Sequence, residues 1–245
     1  MDLYPRIQLF HRAWRYRLQI ERPEISFLRR HLGPGQTAID IGAHKGAYTY
    51  WMQKLVGPEG RVYAFEPQPD LAAYLRSLIE EWPMPKVTLV EAALSSQSGS
   101  ASLYRHAAGP SPGATLQLST DASGLASFEV RLESLDEFFA KDGARPIAFI
   151  KCDVEGHELE VFRGAERILK QDRPILLFEC EQYHHPQGSI QPVFDLLYEL
   201  GYSGAFFLNG SLRPMEEFGP DIQSERGTSS YIYNFAFTPD RSVAV

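Results

Sequence analysis

The run IKCDVEGHELEVFRGA, Ile150 to Ala165, holds the densest group of side chains able to move a proton or hold a charge: Asp153, Glu155, His157 and Glu158. A second cluster, FECEQYHH, adds Glu179, Glu181, His184 and His185. Carboxylates and imidazoles are the groups suited to acid–base work near neutral pH. Asp153 leaves an apolar, strand-like run and is the leading candidate: it can accept a proton from a hydroxyl, orient a cofactor's ammonium, hold a metal, or simply cap the following helix. Glu155 and Glu158 share a helical face, where acids are favoured near the N-terminus without any chemistry. If the two apolar runs are adjacent strands, Asp153 and Glu179 converge and become tentative ligands for a divalent ion such as Mg²⁺, which would lower a hydroxyl's pKa. His184 or His185 can then serve as base or ligand, or be an ordinary loop histidine. The catalytic candidates are Asp153, Glu155, Glu179 and His184.

A second stretch, AIDIGAHKGAYTYW from Ala38 to Trp51, places Gly42 and Gly46 between an apolar run and a helical segment. In an open parallel sheet the first strand-to-helix turn is the usual ligand cradle. Its Gly-x-x-x-Gly spacing matches neither a Gly-x-Gly-x-x-Gly dinucleotide loop nor a Walker loop, so pyrophosphate and nucleoside triphosphate fit poorly. Glu66, about 20 residues on in FEPQP, stands where an acid can accept hydrogen bonds from ribose hydroxyls. The two features together point to an adenosine-bearing cofactor.

Positioning these groups requires alternating strands and helices, and the pattern supplies them. Apolar runs at Thr37 to Ile41, Arg61 to Phe65, Val87 to Glu91, Ile147 to Cys152 and Pro174 to Cys180 alternate with helical segments at Tyr48 to Val56, Asp70 to Glu80 and Leu159 to Lys170. This predicts an α/β fold with a mostly parallel sheet covered on both faces. Ser203 to Leu208 and Tyr231 to Phe237, joined by a polar loop, predict an edge hairpin with one antiparallel strand and a total of seven core strands. An insertion at about 95–146 contains the strand-like SASLYRH and ASFEVRLESL, read as an added β-hairpin. Its loop, YRHAAGPSPGATLQLST, is suited to close over a polar acceptor or to lie on the surface. Residues 1–35 form a helical extension ahead of a 36–245 domain. Leu3, Ile7, Phe10, Trp14 and Leu18 mark a basic amphipathic helix expected to lay that stripe on the core, with a lid, a homodimer arm or a surface for acidic partners as alternatives.

The 245 residues carry 24 Lys and Arg against 31 Asp and Glu, a net charge of −7 that argues against nucleic acid as a partner. Two cysteines, Cys152 and Cys180, lie in apolar runs, and with no leader pattern they point to the cytoplasm rather than to a disulfide framework. No apolar run reaches the roughly 20 residues of a membrane span.

DIGAHKGAYTYW, FEPQP, EAALSSQSG and above all IKCDVEGHELEVFRGA resemble the successive motifs of the FkbM family of S-adenosylmethionine-dependent methyltransferases, from about Thr37 to Phe237. The resemblance implies a seven-stranded class I methyltransferase sheet and methylation of a hydroxyl on a sugar, glycolipid, polyketide or other polar small molecule. It also implies that Asp40 and Gly42 border the methionine part of S-adenosylmethionine, that Ala43 and Gly46 shape the loop, and that Glu66 takes the ribose with Gln68 nearby. Ala92 and Ala93 would line the adenine, with Glu91 a partner for its amino group. Family members often carry Asn at the position of His44. An NAD-linked oxidoreductase and a non-catalytic adenosine-nucleoside-binding module remain as other readings.

Overall fold

A computed structural model describes residues 4–81, 84, 86–107, 109–110, 113–116, 124–143, 146–185, 189–219 and 231–240. The main sheet contains β1 (Thr37–Ile41), β2 (Arg61–Phe65), β3 (Val87–Val90), β7 (Ile147–Cys152), β8 (Ile175–Glu179), β9 (Tyr202–Leu208), β10 (Ser211–Pro214) and β11 (Asn234–Pro239), in the order β10-β9-β11-β8-β7-β1-β2-β3. The remaining strands, β4 (Ala93–Leu94), β5 (Gly99–His106) and β6 (Leu125–Glu133), make a separate small sheet with β6 in the centre. β5 and β6 pair antiparallel throughout, which is the inserted hairpin expected from the sequence.

The α/β class and the parallel core agree with the sequence reading, while the strand count at one end differs. Seven strands form the expected core, but the antiparallel β11 lies inside the sheet, between β8 and β9, rather than at its edge. The edge is β10, inside the segment read as loop. Asn209 and Gly210 both take left-handed backbone (φ 49° and 79°), the requirement of a two-residue hairpin turn, and they fold β10 back on β9.

Every residue of β1 is buried, because helices cover both faces of the sheet. On one face Ile39, Ile41, Ile150 and Phe178 meet α5 (Leu135–Asp142), α6 (Glu158–Arg163), α7 (Glu166–Gln171) and α8 (Gln191–Glu199). On the other, Ala38, Val62 and Leu177 meet α1 (Tyr4–Arg15), α2 (Arg22–His31), α3 (Ala47–Val56) and α4 (Pro69–Glu81). The helix expected over Leu159 to Lys170 is broken into α6 and α7. Gly164 sits so close to the insertion that a Cβ there would lie 2.1 Å from the Ser95 carbonyl oxygen. Its own carbonyl accepts from Asp136 N and Ser134 Oγ instead of continuing the helix.

The N-terminal helix also differs from its sequence reading. Leu9 and Ala13 are the buried residues, and Trp51 Nε1 donates to the Ala13 carbonyl at 2.9 Å. Of the stripe expected to face the core, Trp14 packs against it, while Ile7, Phe10 and Leu18 point outward, 63%, 46% and 59% exposed; Leu3 lies outside the described residues. A π-helical turn over Tyr16–Ile20 interrupts the helical register, so a face drawn through Leu18 at α-helical spacing does not continue. The extension shares the core of the main domain. Among the described residues no helix is long and apolar enough to cross a membrane.

Candidate functional site

The carboxyl ends of β1, β2, β7 and β8 open into one cleft of about 280 Å³, close to the lower bound of small-molecule sites. Asp40, Gly42, Ala43 and Glu66 build its first side. β1 ends at Ile41, and Gly42 takes φ 73°, which turns its amide and that of Ala43 onto the Phe65 carbonyl at 3.0 Å each. A Cβ on Gly42 would meet the Asp153 carbonyl oxygen at 1.9 Å, so only glycine lets β1 and β7 close at this level. Gly46, at φ 78°, opens α3 but does not line the cleft.

Glu66 ends buried, 2% exposed, with the His44 amide donating to Oε2 at 2.8 Å and the Gln68 amide to Oε1 at 2.9 Å. Burial pushes its carboxyl up to about 7, against the pull of those two amides. Each oxygen retains a second lone pair for a ligand hydroxyl. His44 has φ 49°, a left-handed conformation that Asn and His both tolerate, which gives a backbone reason for either residue here. Its imidazole is pushed down to about 4 by burial and the neighbouring Lys45 charge, so it is neutral at pH 7.

Gln68, Ala92 and Ala93 also line the cleft. Glu91 does not: it is exposed and paired with Arg76 on α4, so the sequence-based adenine contact is corrected to a surface ion pair. β3 ends at Val90, and the Ala92 amide folds back on the Val90 carbonyl, which leaves Glu91 on the outside of the turn.

Asp153, Glu155 and Glu179 stand at the other side, brought together by the adjacency of β7 and β8. The group that organises them is Lys151, which the sequence reading passed over. Its side chain is 5% exposed, and Nζ donates to Asp153 Oδ2 at 3.0 Å. Burial opposes its charge, but Asp153, Glu179, Asp40 and Glu21 outweigh that and raise its pKa. A buried ammonium thus stands against Asp153 and acts electrostatically on Glu179, the two residues expected as ligands of a divalent metal. The signal for it was a lysine within the otherwise apolar AFIKC.

His184 lies behind the cleft and bonds Glu155, Nδ1 to Oε2, at 2.8 Å. Burial lowers its affinity for a proton, while Glu155 more than restores it and raises its pKa. The backbone of Glu155 is left-handed (φ 53°), and Gly156 follows at φ 96°, where a Cβ would lie 2.4 Å from the His184 carbonyl oxygen. That contact seats the EGH turn on the turn at Gln182–His184. His157 accepts or donates through Nε2 to Ser95 Oγ at 2.9 Å. Glu158 and His185 pair with each other at 3.1 Å and leave the cleft altogether.

The N-terminal extension completes the walls with Arg12, Tyr16 and Glu21. Arg12 Nη1 donates to the Lys45 carbonyl at 3.0 Å, tying α1 to the glycine loop. Glu21 is buried and accepts from the Tyr48 hydroxyl; desolvation pushes it up to about 7. No sequence periodicity marked Glu21, because its burial depends on where the turn between α1 and α2 falls. The insertion contributes Leu103, Ala114 and Leu116, and Thr115 Oγ1 donates to the Glu155 carbonyl at 2.9 Å. Residues 108, 111–112 and 117–120 of the expected closing loop lie outside the described residues.

An adenosine-bearing cofactor fits this donor set. Asp40 is buried and Thr49 Oγ1 donates to its Oδ2 at 2.5 Å, while Oδ1 has no partner among the described residues. An unsatisfied buried oxygen on a residue of the cleft wall, with a doubly anchored Glu66 in the same cleft, suits a ligand that carries an ammonium and vicinal hydroxyls.

The profile of the methyltransferase FkbM domain matches residues 40–203. The hexuronic acid methyltransferase AglP of Haloferax volcanii is 30% identical over 168 residues, 67% of this chain and 64% of that protein. Among solved structures, an FkbM methyltransferase from Methylobacillus flagellatus superposes with a TM-score of 0.54 at 14% identity, over 97% of this chain and 55% of that one. The O-methyltransferase TomG from Streptomyces achromogenes, solved with S-adenosylmethionine, gives 0.50 at 10% identity over 95% and 89% of the two chains. This chain thus spans 64% of its haloarchaeal relative and 55% of the Methylobacillus chain.

Proposed function

From the premise that the chain belongs to the FkbM methyltransferase family, we propose that it transfers a methyl group from S-adenosylmethionine to a hydroxyl of a sugar, hexuronic acid or similar polar metabolite. The observation that carries this reading is the single cleft that joins Asp40 and Glu66 to Asp153. The haloarchaeal relative, named for a hexuronic acid substrate, supports the sugar class.

When bound, the cofactor supplies an electrophilic methyl on a sulfonium. The chain's part is binding, alignment and a proton sink. Glu66, fixed by the His44 and Gln68 amides, accepts hydrogen bonds from vicinal ribose hydroxyls. Asp40, with Oδ2 held by Thr49, keeps Oδ1 for an ammonium. Ala92 and Ala93 present an apolar wall for the base. Lys151 fixes Asp153 through Oδ2, so the acceptor's proton passes to Oδ1 as the oxygen loses it. Leu103, Ala114 and Leu116 from the insertion exclude water on the acceptor side.

The test incubates the protein with methyl-labelled cofactor and a panel of hexoses, hexuronic acids, glycolipids and polyketides. Label in an alkali-stable product is the expected methyl ether. Label released by mild alkali would mark a carboxylate ester and overturn the hydroxyl assignment. An Asp153→Asn variant should bind S-adenosylhomocysteine normally and lose turnover by about 100-fold or more, the range of general-base contributions. Undiminished turnover would remove Asp153 as the proton acceptor, and failure of the wild type to bind S-adenosylhomocysteine would remove the whole reading.

A further inference from the structure

We propose that Glu158, Cys180 and His185 form a binding site for one zinc-class divalent cation, behind the acceptor side of the cleft and with a ligand set that includes neither Asp153 nor Glu179. Glu158 Oε2 lies 3.1 Å from His185 Nε2 and 3.9 Å from Cys180 Sγ. Cys180 Sγ lies 3.3 Å from His185 Nε2. Zinc bonds of about 2.0–2.3 Å at tetrahedral angles place such ligand atoms roughly 3.3–3.6 Å apart. The three atoms therefore already outline one face of a coordination tetrahedron, and shifts of a few tenths of an ångström complete it.

The surroundings suit a cation. Glu158 and Cys180 are each 1% exposed, and the His185 side chain is 8% exposed. The Gly156 amide donates to Glu158 Oε1 at 3.0 Å, which fixes the carboxylate with Oε2 toward the cluster, as supporting shells of metal ligands do. A void of about 10 Å³, the room of one water, touches Glu158 and Cys180 but not His185, and can lodge a water on the Glu158–Cys180 side of the cluster. Five carboxylates border that void: Asp153, Glu155, Glu158, Glu179 and Glu181. Lys151 and the imidazoles of His184 and His185 are the positive or protonatable groups paired with those residues. A mixed thiolate, imidazole and carboxylate set favours zinc over magnesium. Binding requires Cys180 to release its thiol proton to solvent, so uptake acidifies an unbuffered solution.

The site joins β8 and the turn at Gln182–His184 to the start of α6, the two segments that carry His184 and Glu155. A bound ion thus clamps the acceptor side without touching the cleft. Metal content is read without cofactor or acceptor, so it stands or falls independently of the methyl-transfer reading.

The experiment is elemental analysis of the full chain purified after zinc supplementation and dialysis, with cobalt replacement followed by absorption spectroscopy. About one zinc per chain is expected, with a thiolate-to-cobalt charge-transfer band in the cobalt form. Cys180→Ala and His185→Gln should lower zinc content tenfold or more. Cys152→Ala, which removes a buried thiol on the neighbouring β7 outside the cluster, should keep both the zinc and the band. Wild-type protein that retains less than a tenth of an equivalent of zinc and shows no cobalt band overturns the proposal, whether or not the variants fold. Equal metal content in wild type and folded Cys180→Ala also overturns it.

Discussion

Asp40 and Lys151 face each other as register partners on the parallel strands β1 and β7, and both side chains are buried. The ammonium lies 5.2 Å from the centre of the Tyr48 ring and bonds Asp153 at 3.0 Å, so one buried cation stands between these two walls of the cleft. Burial pushes the carboxyls of Asp40 and Glu179 up, and Lys151 is the group that opposes this in both.

Removing that cation should leave uncompensated buried charge. Lys151→Met is expected to destabilise the fold by about 3–5 kcal/mol at pH 8, the usual cost of breaking a buried ion pair. The loss should shrink at pH 5, where Asp40 and Glu179 can bind protons. Urea unfolding at the two pH values measures it; a loss of equal size at both would show that lost packing, not charge, is responsible.

Glu66 links pH to stability and to cofactor affinity in opposite directions. Its carboxyl is raised from 4.5 unfolded to about 7 folded, so the folded state holds the proton more tightly between these values. Stability from this group is full below pH 4.5 and falls as pH rises toward 7, by on the order of 3 kcal/mol. Ribose hydroxyls donate to the ionised form, so S-adenosylhomocysteine should bind tighter as pH rises from about 6 to 8. Calorimetry should show proton release on binding, absent in Glu66→Gln. Glu91→Ala, which removes a surface partner of Arg76, should leave affinity unchanged.

What could be read from sequence divides along physical lines. Apolar periodicity exposed β1, β2, β7 and β8, because strands buried on both faces are apolar throughout. Asp40, Glu66 and Asp153 could be placed because each sits at or just beyond the end of such a strand, a position that topology sends to the cleft. The direction of a side chain and the partner it meets were not visible: His184 turned to Glu155, Glu91 to Arg76, and Glu158 to His185. Lys151 and Glu21 depend on contacts between segments far apart in the chain. The outward direction of Leu18 is not legible from apolar spacing, because a π-helical turn shifts the helical register after Arg15.

Gly42 and Gly156 are expected to be intolerant of a single methyl group for a backbone reason. Both have positive φ, and the added Cβ would meet the carbonyl oxygen of Asp153 or His184, atoms that move only with the main chain. Gly42→Ala and Gly156→Ala should each cost more than about 2 kcal/mol. Gly35→Ala, at φ 79° with open space around it, carries the conformational strain alone and should cost less. Thermal unfolding of the three variants separates crowding from strain; equal losses would assign the whole effect to φ.

The Glu155–His184 contact should behave as a pH-dependent clasp on the acceptor side. Folding raises the pKa of His184 above 6.5, so its contribution to stability is full below 6.5 and is lost as pH rises through the folded value. Glu155 is also raised, by burial, so the pair carries both charges only above the folded Glu155 value and below the folded His184 value. The melting temperature of wild type should therefore exceed that of His184→Gln most near pH 6 and least near pH 9. Because Glu155 lines the cleft and His184 does not, His184→Gln should lower kcat through a misplaced Glu155 and leave S-adenosylhomocysteine affinity within about twofold. A loss of cofactor affinity instead, with kcat intact, would place the clasp on the cofactor side and remove His184 from the positioning of the acceptor.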